Sequence, residues 1–169
     1  GEEIDGDGSL SSRATGEMGF AGEESAARRG HGVALVTGPT GLPDPKGVRT
    51  VRVVSAREML RAAKEAYPEV DAVIATAAVS DYRPARRARG KRKKGEKEIS
   101  LPLVRNPDIL ATLGRKKGNR VLIGFALEVR NARANALKKC REKNLDWIVL
   151  NGPSSLGAEK MNAAIYREG

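Results

Sequence analysis

The stretch that decides the fold lies near the middle of the chain and reads Val70-Asp71-Ala72-Val73-Ile74-Ala75-Thr76-Ala77-Ala78-Val79-Ser80-Asp81. Its apolar residues follow one another almost without interruption, which is typical of a parallel strand covered on both faces. Small side chains and an acid come directly after them. Because ligands bind beyond the carboxyl ends of such strands in an open α/β sheet, this end is where we first expect a site.

Further apolar runs on either side of this stretch predict more strands. Nearly continuous runs predict parallel strands at residues 33–36, 120–126 and 145–150. Alternating runs at 48–54 and 99–104 predict edge or antiparallel strands, and 162–166 is a weak final strand.

Helix signals lie between these runs. A first helix is predicted at 18–29 and stops at Gly30, and a second at 55–66 is opened by a capping box of Ser55 and Glu58. A third has Asn106 as N-cap and Pro107 at N1, and it ends at Gly114 or about Lys117. A fourth is predicted at 131–143, with a basic outer face. This order predicts one α/β domain over residues 1–169, with a doubly wound, mainly parallel sheet and helices on both faces.

The composition excludes several classes of protein. Cys140 and His31 are the single cysteine and histidine of the chain, which argues against a disulfide framework and against zinc catalysis. No run approaches the roughly 20 apolar residues that cross a bilayer, and the acidic first nine residues do not resemble a signal peptide. The expected compartment is the cytoplasm, with no membrane partner.

The positive charge is concentrated in one segment. Residues 83–97 contain nine Lys or Arg and one acid, so they carry +8 of the net +10. This basic flexible loop could be solvated surface, a patch for nucleic acid, or a clamp for a triphosphate, and composition alone favours solvated surface. Nucleic acid is not expected as a partner, because no aromatic residue lies between Arg83 and Lys97.

Two short motifs have both a structural and a functional interpretation. Residues 15–19, Thr-Gly-Glu-Met-Gly, could cradle a phosphate at a helix N-terminus, but the carboxylate of Glu17 favours an ordinary cap. The small residues that end at Asp81 could receive a flat base or sugar, or could serve close packing of a helix on the sheet. The residues alone leave these two interpretations open.

Taken in order, five segments resemble landmarks of the phosphopantothenate–cysteine ligase domain, the second half of the bacterial bifunctional enzyme that starts coenzyme A assembly. They are Gly38-Pro39-Thr40-Gly41-Leu42-Pro43; Ala77-Ala78-Val79-Ser80-Asp81-Tyr82-Arg83-Pro84; Asn106-Pro107-Asp108-Ile109-Leu110; Gly124-Phe125-Ala126 with Glu128; and Lys143-Asn144-Leu145-Asp146. Their order and spacing agree across most of the chain.

The resemblance implies a Rossmann-like sheet that binds CTP with Mg²⁺, usually in a homodimer. The family joins 4′-phosphopantothenate to L-cysteine through an acyl-cytidylate. This chemistry needs no protein nucleophile, but it does need positioning and positive charge where negative charge gathers.

The resemblance also implies roles for particular residues, with no residue assigned as a metal ligand. Lys91, in the lysine-rich loop, would stabilise the charge that develops during acyl-cytidylate formation, and Ser12 stands at the position tied to cysteine coupling. The implied nucleotide contacts are Thr76, Ala77, Ala78, Asp81 as a ribose or metal-side contact, Lys91, Asn106, Pro107, Asp108, Ile109, Phe125 on the base, and Lys139 and Lys143 on the triphosphate. For Lys139 and Lys143, a solvated helix surface is the alternative.

The sequence departs from the family pattern at several places. Ser12 stands where the family has asparagine, Glu17 where it has lysine, and Gly152 where it has aspartate. The family's first strand and its C-terminal helix find no counterpart in residues 1–169. The alternatives to a complete ligase are a nucleotide-binding relative that is impaired or non-catalytic and, more remotely, a nucleic-acid-binding protein that uses the basic loop.

Overall fold

The computed structural model describes residues 1–6, 8–11, 16–88, 90, 98, 100–128, 131–151 and 163–167. Its helices are α1 (Glu17–Arg28), α2 (Ala56–Ala66), α3 (Ile109–Gly114) and α4 (Ala132–Glu142), with a 3₁₀ turn at Tyr67–Glu69. Its strands are β1 (Glu2–Glu3), β2 (Ser9–Leu10), β3 (Ala34–Thr37), β4 (Arg49–Arg52), β5 (Ala72–Ala75), β6 (Tyr82–Pro84), β7 (Leu103–Arg105), β8 (Val121–Leu127), β9 (Trp147–Asn151) and β10 (Ala163–Tyr166).

The main sheet has the strand order β10-β9-β8-β5. Strands β5, β8 and β9 are parallel, and β10 is antiparallel to β9. Strands β3 and β4 form a separate parallel pair, so the strand predicted at 48–54 is an edge strand of this pair, and the antiparallel alternative is wrong. The mainly parallel pairing, with helices between the strands, confirms the predicted α/β, Rossmann-like fold class.

Two small antiparallel pairs complete the described strands. Strand β1 pairs with β2, and β6 pairs with β7, where Tyr82 lies opposite Arg105. The strand predicted at 99–104 is found only at its C-terminal end, as Leu103–Arg105; residues 100–102 are not in a strand, and Ile99 lies outside the described residues. Strand β6 was not predicted, because the charge of its surroundings hides a pairing that β7 supplies from twenty residues away.

The core lies between the main sheet and helices α3 and α4. Leu122, Cys140 and Ile148 are its largest fully buried side chains. Ala136 and Leu113 pack in the same cluster. Cys140 is therefore a packing residue, and burial keeps it from reaction partners.

The other face of the main sheet is more open. Cross-strand pairing puts Ile74, Ile123 and Trp147 in one row on this face. Ile74 is 61% exposed and Ile165 is 63% exposed. Complete burial of both faces, expected from the apolar composition of residues 70–79, is therefore wrong for Ile74, because composition does not reveal what covers a strand.

The N-cap predicted from the sequence is observed for α2 but not for α3. The predicted capping box of α2 is confirmed: Ser55 Oγ accepts from the N–H of Glu58, whose carboxylate accepts from the N–H of Ser55. The prediction of Asn106 as N-cap is wrong. Asp108 is the N-cap of α3 and accepts from the N–H of Ala111 at 2.9 Å, since the Asn106 side chain is engaged elsewhere.

None of the helices that the structure describes is long and apolar enough to cross a membrane. The longest of them, α1, has 12 residues.

Candidate functional site

The turn that follows β5 presents small residues at the surface. Ala77, Ala78 and Asp81 are exposed, whereas Thr76 is half-buried. The N–H of Val79 donates to the carbonyl oxygen of Ala77 at 3.1 Å, which folds the turn tightly. The site predicted at the carboxyl end of this strand therefore has open space beside backbone and a carboxylate at its rim.

Asn106 connects this turn to the segment before α3. Its N–H donates to Asp81 O at 2.7 Å, and its Nδ2 donates to Ser80 O at 2.9 Å. Its Oδ1 accepts from Arg83 Nη1 at 3.2 Å. Asn106, predicted to contact a nucleotide, thus organises the turn with the same side chain.

Glu2 is a buried carboxylate beside this turn that the sequence did not reveal. It is only 5% exposed, and its Oε1 accepts from the N–H of Ala56 at 2.8 Å and from Asn106 Nδ2 at 3.0 Å. In the sequence it belongs to an acidic stretch that resembles solvated surface. No local signal could have identified it, because its partners are 54 and 104 residues away.

Asp108 and Lys143 form an ion pair beside this segment. Lys143 Nζ lies 2.9 Å from Asp108 Oδ2. Burial raises the pKa of the Asp108 carboxyl, but the hydrogen bonds from Ala111 and Lys143 and the nearby positive charges outweigh burial and hold it below its ordinary value. The carboxylate is therefore fixed in its ionised form at neutral pH.

A second pair lies at the end of β8. Lys139 Nζ contacts Glu128 Oε1 at 2.5 Å, and Asn135 Nδ2 donates to Glu128 Oε2 at 3.1 Å. The hydrogen bond from Lys139 is the main reason why the pKa of Glu128 is lowered. Lys139 in the last turn of α4 and Lys143, the residue directly after the helix, are four positions apart, so both predicted triphosphate contacts lie on the same side of α4. Each has a carboxylate partner.

Phe125 lies apart from these lysines. Its cross-strand partner is Val149, whereas Gly124 belongs to the face that packs against Leu110 and Leu145. Side chains alternate between the two faces along a strand. The described residues therefore place Phe125 on the sheet face opposite Gly124, and only a ligand at the strand end could reach both faces.

The N-terminus of α1 approaches the end of β5. Gly16 is its N-cap, with a φ of 87° and no side-chain cap. A Cβ built on Gly19 would lie 2.8 Å from Thr76 Oγ1, so only glycine allows this close packing. Gly16 caps the helix without a side chain, so both interpretations of residues 15–19 stay predictions, and Gly19 of α1 packs against Thr76.

Three other predictions concern the basic loop and the catalytic positions. Ser12 and Lys91 lie outside the described residues, and with them most of the lysine-rich segment. The start of residues 83–97 is described: it begins in β6, and Arg87 Nη1 lies 2.6 Å from Glu3 Oε2. The N–H of Ala88 donates to Ile4 O at 3.0 Å, so this part of the loop lies against the hairpin of β1 and β2.

The described residues contain no group of three or more His, Cys, Asp or Glu side chains arranged to hold a metal ion. Mg²⁺ usually binds one or two carboxylates together with substrate phosphates and waters. Asp81, with an exposed carboxylate at the turn, is a donor of that kind. A metal carried by a polyphosphate therefore fits the described donor set.

The fold and the strand-end residues define an α/β domain with an exposed turn at the carboxyl edge of its sheet. The comparisons identify its family: the chain matches the DNA/pantothenate metabolism flavoprotein C-terminal domain over residues 1–167, and it belongs to this family. The resemblance inferred from the sequence motifs is confirmed at this level.

Individual relatives agree with this assignment. The chain is 41% identical, over 91% of its length, to the coenzyme A biosynthesis bifunctional protein CoaBC of Haemophilus influenzae, and 41% identical over 88% to that of Bacillus subtilis. It spans 38% and 37% of the length of these two relatives. A solved structure of a CoaBC C-terminal domain superposes with a TM-score of 0.84 at 41% identity, covering 99% of this chain and 76% of that one.

Proposed function

We propose that this chain is a CTP-dependent ligase domain that joins 4′-phosphopantothenate to L-cysteine in coenzyme A biosynthesis. The observation that carries the proposal is the exposed turn Ala77–Asp81, which Asn106 ties to the segment before α3, where Asp108 pairs with Lys143. The turn offers backbone and a carboxylate to a base and ribose, while Lys139 and Lys143 offer charge to phosphates. Identity to CoaBC relatives over most of the chain supports the same function.

The reaction has two steps that balance without a protein nucleophile. A carboxylate oxygen of 4′-phosphopantothenate attacks the α-phosphorus of CTP, and the bond to pyrophosphate breaks, giving the acyl-cytidylate. The amine of cysteine then attacks the acyl carbon, loses a proton, and expels CMP as the amide forms. The protein must align the reactants and neutralise charge on the phosphates, roles for which Lys91, Lys139 and Lys143 are suited.

Mg²⁺ belongs to the proposal as a partner of CTP. It would screen the triphosphate charge when bound. Among the described residues Asp81 would face it or the ribose, since its carboxylate stands at the rim of the turn. A homodimer in the cytoplasm also belongs to the proposal. Tyr82 and Leu103 of the β6–β7 pair, 51% and 46% exposed, offer apolar surface for a second copy.

A second candidate is a nucleotide-binding relative that does not complete the reaction. Glu17, in the first turn of α1, puts a negative charge where the family has lysine. Ser12 likewise replaces the asparagine of the coupling step. These two departures concern phosphopantothenate and cysteine rather than CTP.

Pyrophosphate release separates the two candidates. With CTP, Mg²⁺ and 4′-phosphopantothenate, a ligase releases pyrophosphate, and adding cysteine yields the amide and CMP. A binding relative gains thermal stability with CTP by mass action, but it releases no pyrophosphate. Stabilisation by ATP equal to that by CTP, or by neither nucleotide, would contradict the proposal.

A matched pair of variants locates the nucleotide. Asp81→Asn should weaken CTP binding, because it removes a carboxylate at the rim of the turn. Asp71→Asn, at the residue before β5 and so at the opposite end of the strand, should leave binding unchanged. Equal effects of the two changes would place the nucleotide elsewhere.

A further inference from the structure

Glu2 joins three parts of the chain that are far apart in sequence. One carboxylate oxygen accepts from the N–H of Ala56 at 2.8 Å and from Asn106 Nδ2 at 3.0 Å. The residue is almost completely buried. A buried carboxylate is costly unless it is hydrogen-bonded, so these two contacts define where Glu2 must lie.

The contact with Ala56 places the carboxylate at the N-terminus of α2. Ala56 directly follows the N-cap Ser55, and its N–H is one of the four that a helix leaves without an internal partner. The Ser55 side chain accepts from Glu58 and not from Ala56. Glu2 thus completes the cap, and the helix dipole favours its negative charge there.

The contact with Asn106 fixes the orientation of an amide. Asn106 Nδ2 has two hydrogens, which go to Glu2 Oε1 and Ser80 O, while its Oδ1 accepts from Arg83. Because two acceptors face Nδ2 and the Arg83 donor faces Oδ1, the reversed orientation of the amide is unfavourable. Without Glu2, one amide hydrogen would lose its partner inside the protein, and the Asn106 side chain that contacts Ser80 and Arg83 would be held less firmly.

We propose that Glu2 is a positioning residue of the nucleotide site: through Asn106, its carboxylate sets the geometry of the turn that carries Asp81. This inference rests on the proposed function for the identity of the nucleotide. Glu2 itself does not touch the ligand. It acts by holding Asn106 between α2 and the turn.

The test compares Glu2→Ala and Glu2→Gln with Glu3→Ala in the full chain. Glu3 is the matched control, since it neighbours Glu2 on β1 but pairs with the exposed Arg87. The Kd for CTP with Mg²⁺ is measured well below the melting temperature of each variant. We expect about a tenfold weaker Kd for Glu2→Ala, a change below about threefold for Glu2→Gln, whose oxygen still accepts, and none for Glu3→Ala.

A merely structural role would lower the melting temperature of Glu2→Ala and leave the Kd of the folded protein unchanged. That result would overturn the proposal. Asn106→Ala provides a second check, because Glu2→Ala should add little to its effect if both act through one contact. Additive losses would also contradict the proposed route.

Amide hydrogen exchange separates this inference from the proposed function. If the parent chain does not bind CTP, the proposed function fails, but positioning can still be measured at the N–H of Asn106, which donates to Asp81 O. Glu2→Ala should speed its exchange about tenfold, and Glu3→Ala should not. Unchanged exchange in Glu2→Ala would refute the positioning role.

Discussion

Lys143 Nζ lies 2.9 Å from Asp108 Oδ2, a contact that joins the residue after α4 to the residue that caps α3. The cap has two partners, since Asp108 Oδ1 also accepts from the N–H of Ala111. One carboxylate therefore begins a helix and holds a lysine that is proposed to meet phosphate. Substitution of Lys143 tests the second of these roles.

Lys143→Ala should weaken CTP binding about tenfold, since a charged hydrogen bond to phosphate would be lost. Lys138→Ala is the matched control on the same helix. Lys138 pairs with Glu142 at the surface, and its loss should change the Kd by less than about twofold. Isothermal titration with CTP and Mg²⁺ measures both. Equal Kd values for the two variants would remove Lys143 from the site.

Glu23 should make the stability of the chain depend on pH. Its Oε2 is buried without a hydrogen-bond partner among the described residues, and burial raises the pKa of its carboxyl from 4.5 to about 7. A raised folded pKa penalises the ionised form, so the penalty is absent below about pH 4 and grows until about pH 7. Glu23→Gln should therefore be more stable than the parent at pH 8. Because the side chain is partly exposed, the gain in the free energy of unfolding should be limited to about 1 kcal/mol.

Chemical unfolding at pH 4 and pH 8 measures this difference, which should vanish at the lower pH. Glu24→Gln is the control, because Glu24 forms an exposed pair with Arg28 on the same helix. A stability gain for Glu23→Gln that is the same at both pH values would show that ionisation is not its cause.

Gly114 and Gly22 should respond oppositely to alanine. A Cβ on Gly114 would lie 2.0 Å from the carbonyl oxygen of Lys143, whereas a Cβ on Gly22 meets nothing within 4 Å. Gly114→Ala should cost roughly 3 kcal/mol through forced separation of α3 from Lys143. Gly22→Ala should add roughly 0.5–1 kcal/mol through helix propensity. Denaturant midpoints measure both, and destabilisation by both changes would contradict the packing described for α1.

Asp146 should stabilise the fold rather than the site. Its carboxylate accepts from Lys117 at 2.6 Å and from the N–H of Leu122 at 2.7 Å. Asp146→Ala should cost about 2 kcal/mol at pH 7, because Leu122 loses its partner. Asp44→Ala, which breaks an exposed pair with Arg52, should cost less than about 1 kcal/mol.

The stabilisation that Asp146 contributes should decrease at low pH. Burial raises the pKa of Asp146, but the hydrogen bonds from Lys117 and Leu122 outweigh burial and leave it below its ordinary value. The stabilisation is therefore complete above about pH 4, where the unfolded carboxyl ionises, and is lost as the pH falls through the folded pKa. An advantage of the parent over Asp146→Ala that persists unchanged to pH 2 would contradict this assignment.

The features that the sequence predicted correctly are those with local causes. Strand β8 follows from a continuous apolar run, and the start of α2 follows from Ser55 and Glu58, which are three residues apart. Asn106 shows the limit of local signals. It has the right residue type for an N-cap, but its amide is used by Ser80 and Glu2, and Asp108 takes the cap instead.

The candidate site was predicted in part for the same reason. The turn after β5 could be located, because a strand end is a local feature. The carboxylates that pair with Lys139 and Lys143 could not, since they come from other elements. The same is true of Glu2, whose importance depends entirely on residues distant in the chain.

The contact between Glu2 and Asn106 also bears on how the molecule folds. It closes a loop of 104 residues, and the entropy lost in closing so long a loop must be met by structure formed within it. Contacts of such long sequence separation slow folding, because the loop must close before the contact stabilises anything. A chain in which this loop has not closed therefore lacks the contact that holds Asn106 beside the turn of Asp81.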